Sequence, residues 1–322
     1  MPEQRRSHHA LAAVTGGTGF LGLHLVPALA QAGFRLRLLT RRDPAHPAFA
    51  GIPFEALPGD LDDTAAQAAL VRDADVVVHA AGLIKAHNRA EFLHANRDGT
   101  AALAQTTRRV APQARFILVS SLAAREPQLS NYAASKNEAE AAARHAFHAA
   151  PGQLAIIRPP AIYGPWDQGT LPWFQASLGP VAPVLGNGKT ALIHARDAAG
   201  AITAMAGAAF RPGAFTLADE RPEGYTLRTL MEAAVRATGG HPRLIALPRA
   251  VLLAAGAYAD LVGKIRNRPS VFSLGKAREI LHADWSVPAE ELLPREIHTP
   301  RIGLQEGFAE TVAWYRQAGW LK

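Results

Sequence analysis

Tyr132 and Lys136 lie four residues apart in an alanine- and glutamate-rich stretch, Asn131 to about Ala149, that reads as a helix. Side chains at that spacing share one helix face. Just upstream, the apolar run Arg115-Phe-Ile-Leu-Val119 reads as a strand and ends in Ser120 and Ser121. A tyrosine hydroxyl, with an ordinary pKa of about 10, is a poor base at neutral pH. A nearby ammonium is expected to favour the phenolate and lower that pKa. A serine can hold a substrate oxygen while the tyrosine gives or takes its proton. Proton transfer positioned in this way is worth roughly 10²–10⁴-fold in rate. It suits a carbon that gains or loses a hydride while its oxygen gains or loses a proton.

A hydride needs a carrier, and one stretch suits it. Val14-Thr-Gly-Gly-Thr-Gly-Phe-Leu-Gly22 follows a strand-like Leu11–Val14 and opens a helix-compatible run from Phe20 to Ala32. Strand, glycine turn and helix in that order open a dinucleotide-binding βαβ unit, with the pyrophosphate on the N–H groups of the helix start. Two registers fit the turn: Gly17, Gly19 and Gly22, or Gly16, Gly19 and Gly22. Phe20 and Leu21 fall within the same cofactor turn. After the second strand, Phe34 to Leu39, the chain has Thr40-Arg41-Arg42 where an acid would select NAD. Guanidinium groups suit a phosphate, so Arg41, with Arg42, is expected to hold the 2′-phosphate of NADP, and NAD is the less favoured cofactor. Asp60, beside Leu61, is placed to meet an adenine edge, while Asp62 or Asp63 caps the next helix. Ala80, Ala81 and Gly82 end a β-branched fourth strand and leave room for a ligand. His79 before them reads as a packed histidine.

These residues need a scaffold. Strands alternate with helices through Arg158, which predicts an α/β fold of Rossmann type: a doubly wound parallel sheet with a smaller C-terminal substrate lobe. The expected division is a dinucleotide-binding domain at 1–158, with 190–220 returning to it, and a substrate lobe from 159–189 and 221–322. Arg89 to Val110 reads as one long helical region carrying Asn96. Pro165 to Lys189 reads as irregular, and the helix that follows as capped near Asp197. Trp166, Trp173 and Phe174 suit either an apolar pocket or plain packing.

Bulk properties narrow the class. In 322 residues, 48% hydrophobic and 19% charged, there is material for a sizeable core. The net charge of +7 is scattered, which argues against a nucleic-acid footprint and fits anionic small ligands. There is no cysteine, so disulfides, thiolate metal sites and a cysteine nucleophile are excluded, and no metal site is expected. The polar lead from Met1 to His9 reads as frayed. Val251 to Val262 is apolar but too short to span a bilayer, and Asp260 interrupts it. A cytoplasmic protein without a membrane span, acting on a small molecule, is the expectation.

The ordered set Thr15-Gly-Gly-Thr-Gly-Phe-Leu-Gly22, Gly59-Asp-Leu61, His79-Ala-Ala-Gly82, Val119-Ser-Ser121, Tyr132-Ala-Ala-Ser-Lys136 and Arg158-Pro-Pro-Ala-Ile-Tyr-Gly-Pro165 resembles the extended short-chain dehydrogenases/reductases, the epimerase/dehydratase superfamily. The resemblance covers most of the chain and selects the register Gly16, Gly19 and Gly22. It implies Ser121, Tyr132 and Lys136 as catalytic residues with Asn96 in support. It also implies that Lys136 holds the nicotinamide ribose, and it adds Pro159 to the cofactor-binding set. Homodimers through the two long helices are a further implication. Sugar-nucleotide members commonly carry an asparagine where this chain has Ala161, and an arginine where it has Thr190. The stretch around Arg158 is closer to the 3-beta-hydroxysteroid dehydrogenase and dihydroflavonol reductase branches.

The expected activity is NADP(H)-dependent interconversion of a ketone and a secondary alcohol on an apolar small molecule. Two alternatives stand beside it: a nucleotide-sugar epimerase or dehydratase, and a non-catalytic NADP-binding sensor or assembly subunit. Arg41→Asp is expected to lower the ratio of NADPH-driven to NADH-driven turnover. An unchanged ratio, measured by steady-state kinetics with each cofactor, would remove Arg41 from the phosphate site.

Overall fold

The computed structural model describes residues 9–266, 268 and 272–322, so positions 1–8 of the polar lead lie outside it. Six strands and their crossovers build the first half: β1 Leu11–Thr15, α1 Gly22–Gln31, β2 Arg35–Thr40, β3 Glu55–Pro58, α2 Thr64–Val71 and β4 Val76–His79 come first. Then follow α3 Arg89–Phe92, α4 Gly99–Val110, β5 Arg115–Val119, α5 Asn131–Ala146 and β6 Leu154–Arg158. Beyond these lie β7 Ala161–Tyr163, α6 Leu171–Ser177, β8 Val181–Val184, β9 Lys189–Thr190, β10 Leu192–His194, α7 Ala195–Ala206 and β11 Gly213–Thr216. The sheet is parallel, in the order β11-β6-β5-β4-β1-β2-β3.

Alternation along each strand builds a core on both faces of this sheet. Val14, Val76, Val78, Ile117 and Ile157 face α1 and α7, through Leu25, Leu29, Ile202 and Met205. Ala13, Val77, Phe116, Leu118 and Ile156 face the other way, onto Leu70, Leu103, Ala143 and Phe147. The chain end supplies α8 Leu227–Thr238, α9 Arg249–Ile265, α10 Leu274–Ile280 and α11 Leu304–Gln317. A separate apolar cluster joins Tyr163, Phe174, Val184, Met231, Phe308 and Tyr315 in this smaller lobe.

Three local expectations are corrected. The region Arg89 to Val110 is not one continuous helix: a π-helical stretch, Leu93–Asp98, separates α3 from α4 and carries Asn96. Pro165 to Lys189 is not irregular throughout, since it holds α6, with a proline in its first turn, and β8, which pairs with Arg243–Ala246. The cap of α7 is His194, whose ring accepts the Arg196 N–H, while Asp197 instead accepts the N–H groups of Arg301 and Ile302. Trp166, Trp173 and Phe174 resolve as packing: Trp166 lies between His46 and Trp314, and the other two join the small-lobe cluster.

Candidate active site

The strand order reverses between β1 and β4, whose ends are in register, Thr15 beside His79. Ligands of open α/β sheets bind in the crevice at such a point. The glycine turn leaves β1 on one side of it, and Ala80, Ala81 and Gly82 leave β4 on the other. Gly16 has φ +74°, and a methyl group there would sit 2.5 Å from the backbone of Ala80 and Ala81. A methyl at Gly22 would collide with the carbonyls of Gly16 and Gly17, whereas Gly17 faces the Val26 and Leu38 side chains with more room. Glycine is thus demanded most strongly at Gly16 and Gly22. Phe20 and Leu21 lead into α1; Leu23, His24 and Leu25 already donate to Gly19 and Leu21, and the N–H groups of Phe20, Leu21 and Gly22 are the ones left to hold a pyrophosphate.

A chain of hydrogen bonds braces the crevice, and the single hydroxyl proton of Thr100 sets its direction. Thr100 donates its hydroxyl proton to the Asn96 carbonyl at 2.6 Å. It can therefore only accept from His79 Nε2, 3.0 Å away. The ring is buried, and burial, aided by the Lys136 charge, pushes its pKa down to about 3, so it is neutral. With the proton on Nε2, Nδ1 accepts from the Thr15 hydroxyl at 2.7 Å, which in turn accepts the Ala81 N–H at 3.3 Å. His79 is the packed histidine expected. Asn96 turns its amide to the loop after β4: Nδ2 donates to the Leu83 carbonyl at 3.0 Å and to Ser135 Oγ at 2.8 Å, and Oδ1 accepts the Leu83 N–H at 2.7 Å. Asn96 therefore staples that loop to α5.

The structure brings Ser121, Tyr132 and Lys136 to the same end of the sheet. Ser121 Oγ accepts the Ala123 N–H at 3.2 Å, and the Ser121 side chain is close enough to Tyr132 to favour its phenolate form. Lys136 Nζ is buried and donates to the Val119 carbonyl at 2.8 Å. Burial lowers the Lys136 pKa to about 8, and the Glu140 carboxylate opposes that fall. The expected depression of the tyrosine pKa is not found. Burial pushes Tyr132 up to about 12; the neighbouring Ser121 side chain acts against this and the Glu279 carboxylate adds to it. The phenol is thus protonated at neutral pH.

Glu140, one turn beyond Lys136, is fully buried and accepts from Ser120 Oγ at 2.7 Å and from Arg158 Nε and Nη2 at 2.8 and 2.7 Å. Burial alone would raise its pKa; the Arg158 and Ser120 hydrogen bonds outweigh that and hold it below the ordinary value. Sequence reasoning passed over Glu140, Ser135, Thr15 and Thr100. The i, i+4 spacing of Lys136 and Glu140 was the signal available for the first.

Arg41 and Arg42 are exposed past the end of β2, with no side-chain partner among the described residues. Asp60 accepts the Asp62 N–H at 2.9 Å within its own turn, and Asp63 is the residue that caps α2. Leu61 packs against Gly99, and its carbonyl accepts from Gln67. The Pro159 carbonyl accepts the Leu122 N–H at 2.8 Å and holds the turn after Ser121. In the smaller lobe a cavity of about 440 Å³ is lined by Leu129, Arg249, Leu253, Arg278, Leu281, His282 and Ala283. Leu129 and Tyr132 both pack against the apolar cluster of Leu122, Ala133 and Trp285.

Comparison with known proteins places the fold in context. The profile of the NAD-dependent epimerase/dehydratase family matches residues 12–218. The ceramide reductase of Caulobacter vibrioides is 49% identical over 314 residues, covering 96% of this chain and 95% of its own. Among solved structures, UDP-glucose 4-epimerase from Bifidobacterium longum in complex with NAD+ and UDP aligns with a TM-score of 0.73 at 18% identity, over 97% of this chain and 99% of that one. The dTDP-glucose 4,6-dehydratase of Bacillus anthracis in complex with NAD aligns with a TM-score of 0.72 at 16% identity, over 97% and 98%. At those identities the likeness speaks to the fold.

Glu140→Ala is expected to cost about 3 kcal/mol of stability, because Arg158 is left half-buried without its counter-charge. Loss of the carboxylate also lowers the Lys136 pKa further, so the alkaline limb of turnover should move to lower pH. Urea unfolding and a pH–rate profile of the variant check both effects.

Proposed function

The chain belongs to the NAD-dependent epimerase/dehydratase family, and we propose that it acts there as an NADP(H)-dependent reductase of a carbonyl on a ceramide-class lipid. It is an enzyme of the NAD(P)-dependent extended short-chain type. The observation that carries the proposal is Tyr132 beside Ser121 at the sheet edge, with the buried Lys136 one helical turn on.

The cofactor set is Gly16, Gly19, Phe20, Leu21 and Gly22 at the pyrophosphate, Arg41 with Arg42 at the 2′-phosphate, and Asp60 and Leu61 at the adenine side. Ala80, Ala81, Gly82 and Pro159 line the crevice toward the reacting end, where Tyr132 and Lys136 complete the set. When bound, the reduced nicotinamide supplies a hydride to the carbonyl carbon. The Ser121 hydroxyl donates a hydrogen bond to the carbonyl oxygen. Tyr132 Oη gives that oxygen its proton, and the protonated phenol favoured by burial is the form this step consumes. Lys136 contributes its charge in the ammonium form, and Asn96 holds the loop and α5 in place.

Two things support the lipid class. The 49% identical relative bears the name ceramide reductase. Ala161 and Thr190 also stand where, by the family resemblance, anion-binding groups for a nucleotide diphosphate would be expected. The pairing of β11 with β6 supports grouping 190–220 with residues 1–158 as the cofactor half, leaving 159–189 and 221–322 for the substrate.

Tyr132→Phe is expected to lower reductive turnover by at least about 10²-fold while NADPH binding, followed by fluorescence titration, changes little. Normal turnover by that variant would overturn the mechanism. Reduction of a keto-ceramide should fall as pH rises through about 8, where Lys136 loses its charge. Turnover of UDP- or dTDP-sugars in place of ketones would replace the lipid reading.

A further inference from the structure

Helix α9 leaves one face unpartnered. Val251, Tyr258, Leu261 and Ile265 are exposed by 49%, 69%, 56% and 76%, and they make up half of the large exposed apolar side chains of the described residues. Their spacing of seven, three and four residues puts them on one stripe of the helix. Ala254 and Ala255 extend the stripe and are also exposed. The opposite face is occupied. Gly256 meets the backbone at Ser273 and Leu274, where a methyl would come within 2.8 Å of the Ser273 carbonyl oxygen. Arg249 and Leu253 line the cavity of about 440 Å³.

Charge around this helix is one-sided. Between His241 and Leu281 the sequence has seven lysines and arginines against two acids. Both acids are engaged internally. Asp260, which interrupts the apolar run in the sequence, turns inward and accepts the Leu274 N–H at 2.9 Å. Glu279 is buried and accepts from Ser130 and from Lys276. Arg249 at one end of the helix, and Lys264, Arg266 and Arg268 at the other, have no acidic partner among the described residues. An apolar stripe carrying an interfacial tyrosine and flanked by unpaired cations matches a bilayer surface of negative charge. A second copy of the same face would set these cations against one another.

We propose that α9 docks the protein on an anionic membrane surface, lying in the headgroup plane with Val251, Tyr258, Leu261 and Ile265 inserted and Lys264, Arg266 and Arg268 against lipid phosphates. The helix is 17 residues long and lies along the surface rather than across it; no helix among the described residues is long and apolar enough to cross a membrane. The docking face and the cavity are opposite sides of one helix. A molecule leaving the bilayer at α9 has only the width of that helix to cover before it reaches Arg249 and Leu253. This inference goes beyond the reductase reading and does not need it.

The test is flotation of the full-length chain with vesicles of equal parts phosphatidylglycerol and phosphatidylcholine, and with phosphatidylcholine alone. The expected result is binding to the anionic vesicles, weaker binding to the neutral ones, and release as salt is raised. Lys264→Ala with Arg266→Ala should lower the partition constant about 25-fold, at about fivefold per charge. Leu261→Ser with Ile265→Ser should abolish the binding that survives high salt. NADPH titration confirms that each variant is folded, since none of the four residues lines the crevice or the cavity. Failure of the native chain to float with anionic vesicles overturns the proposal, as does equal flotation of the variants. A native dimer that Leu261→Ser with Ile265→Ser converts to monomer also overturns it, by showing that a second copy covers the face. Because flotation needs no turnover, a wrong substrate assignment leaves the result unaffected.

Discussion

The buried carboxylate of Glu140 is the constraint on which the reactive geometry depends. An ionised carboxylate with no exposure is untenable unless it is paired and hydrogen-bonded. Here Arg158 at the end of β6 and Ser120 at the end of β5 satisfy it from two adjacent strands. Meeting both partners fixes the rotation of α5 over the sheet. One turn back along the helix, Lys136 then reaches the Val119 carbonyl, and two turns back Tyr132 meets Ser121. Such a pair adds little net stability compared with an apolar substitute, yet breaking it is costly. Its value lies in position: the Tyr132 hydroxyl is aimed by a charge eight residues away.

A second brace approaches from the cofactor side. Thr15, His79 and Thr100 pass hydrogen bonds from the end of β1 to the π-helical stretch, and Asn96 passes them on to α5 through Ser135. A π turn fits this role because its widened ring lets a side chain project where a regular helix would not put it, and such turns concentrate at functional sites. The glycine turn and the helix bearing Tyr132 are therefore coupled by polar contacts as well as by the apolar layers of the sheet. A neutral imidazole is the natural centre of this chain, since it accepts on one nitrogen and donates on the other.

What could be read in the sequence follows from the range of the interactions involved. The first βαβ unit is local: apolar runs, a glycine turn and a helix stripe specify it, and strand alternation sorts the core onto two faces. The proximity of Ser121, Tyr132 and Lys136 was legible because two of them lie within one helical turn and the third ends a strand. Glu140 was not, since an alanine–glutamate helix looks solvated until Arg158 arrives from another strand. His194 and Asp197 both resemble caps, and only Arg301 and Ile302, a hundred residues on, decide between them. Asp260 misled in the same way. Along the sequence it breaks an apolar run, but in the fold its charge is spent on Leu274 and the exposed face stays apolar.

The two perturbed groups of the site share one cause. Burial opposes charge, so it lowers the lysine to about 8 and raises the tyrosine to about 12. Both shifts favour a neutral site, and the phenolate stands at the start of one direction of a carbonyl–alcohol reaction and at the end of the other. Reduction begins with a neutral phenol and uses its proton. Oxidation must begin with a phenolate, and both the burial of Tyr132 and the carboxylate of Glu279 raise its cost. Ser121 offsets part of that cost, and the ammonium of Lys136 is the nearby positive charge available to lower it further. The resting site therefore holds the phenol proton, and its transfer in either direction passes through the phenolate whose cost burial raises and Ser121 offsets.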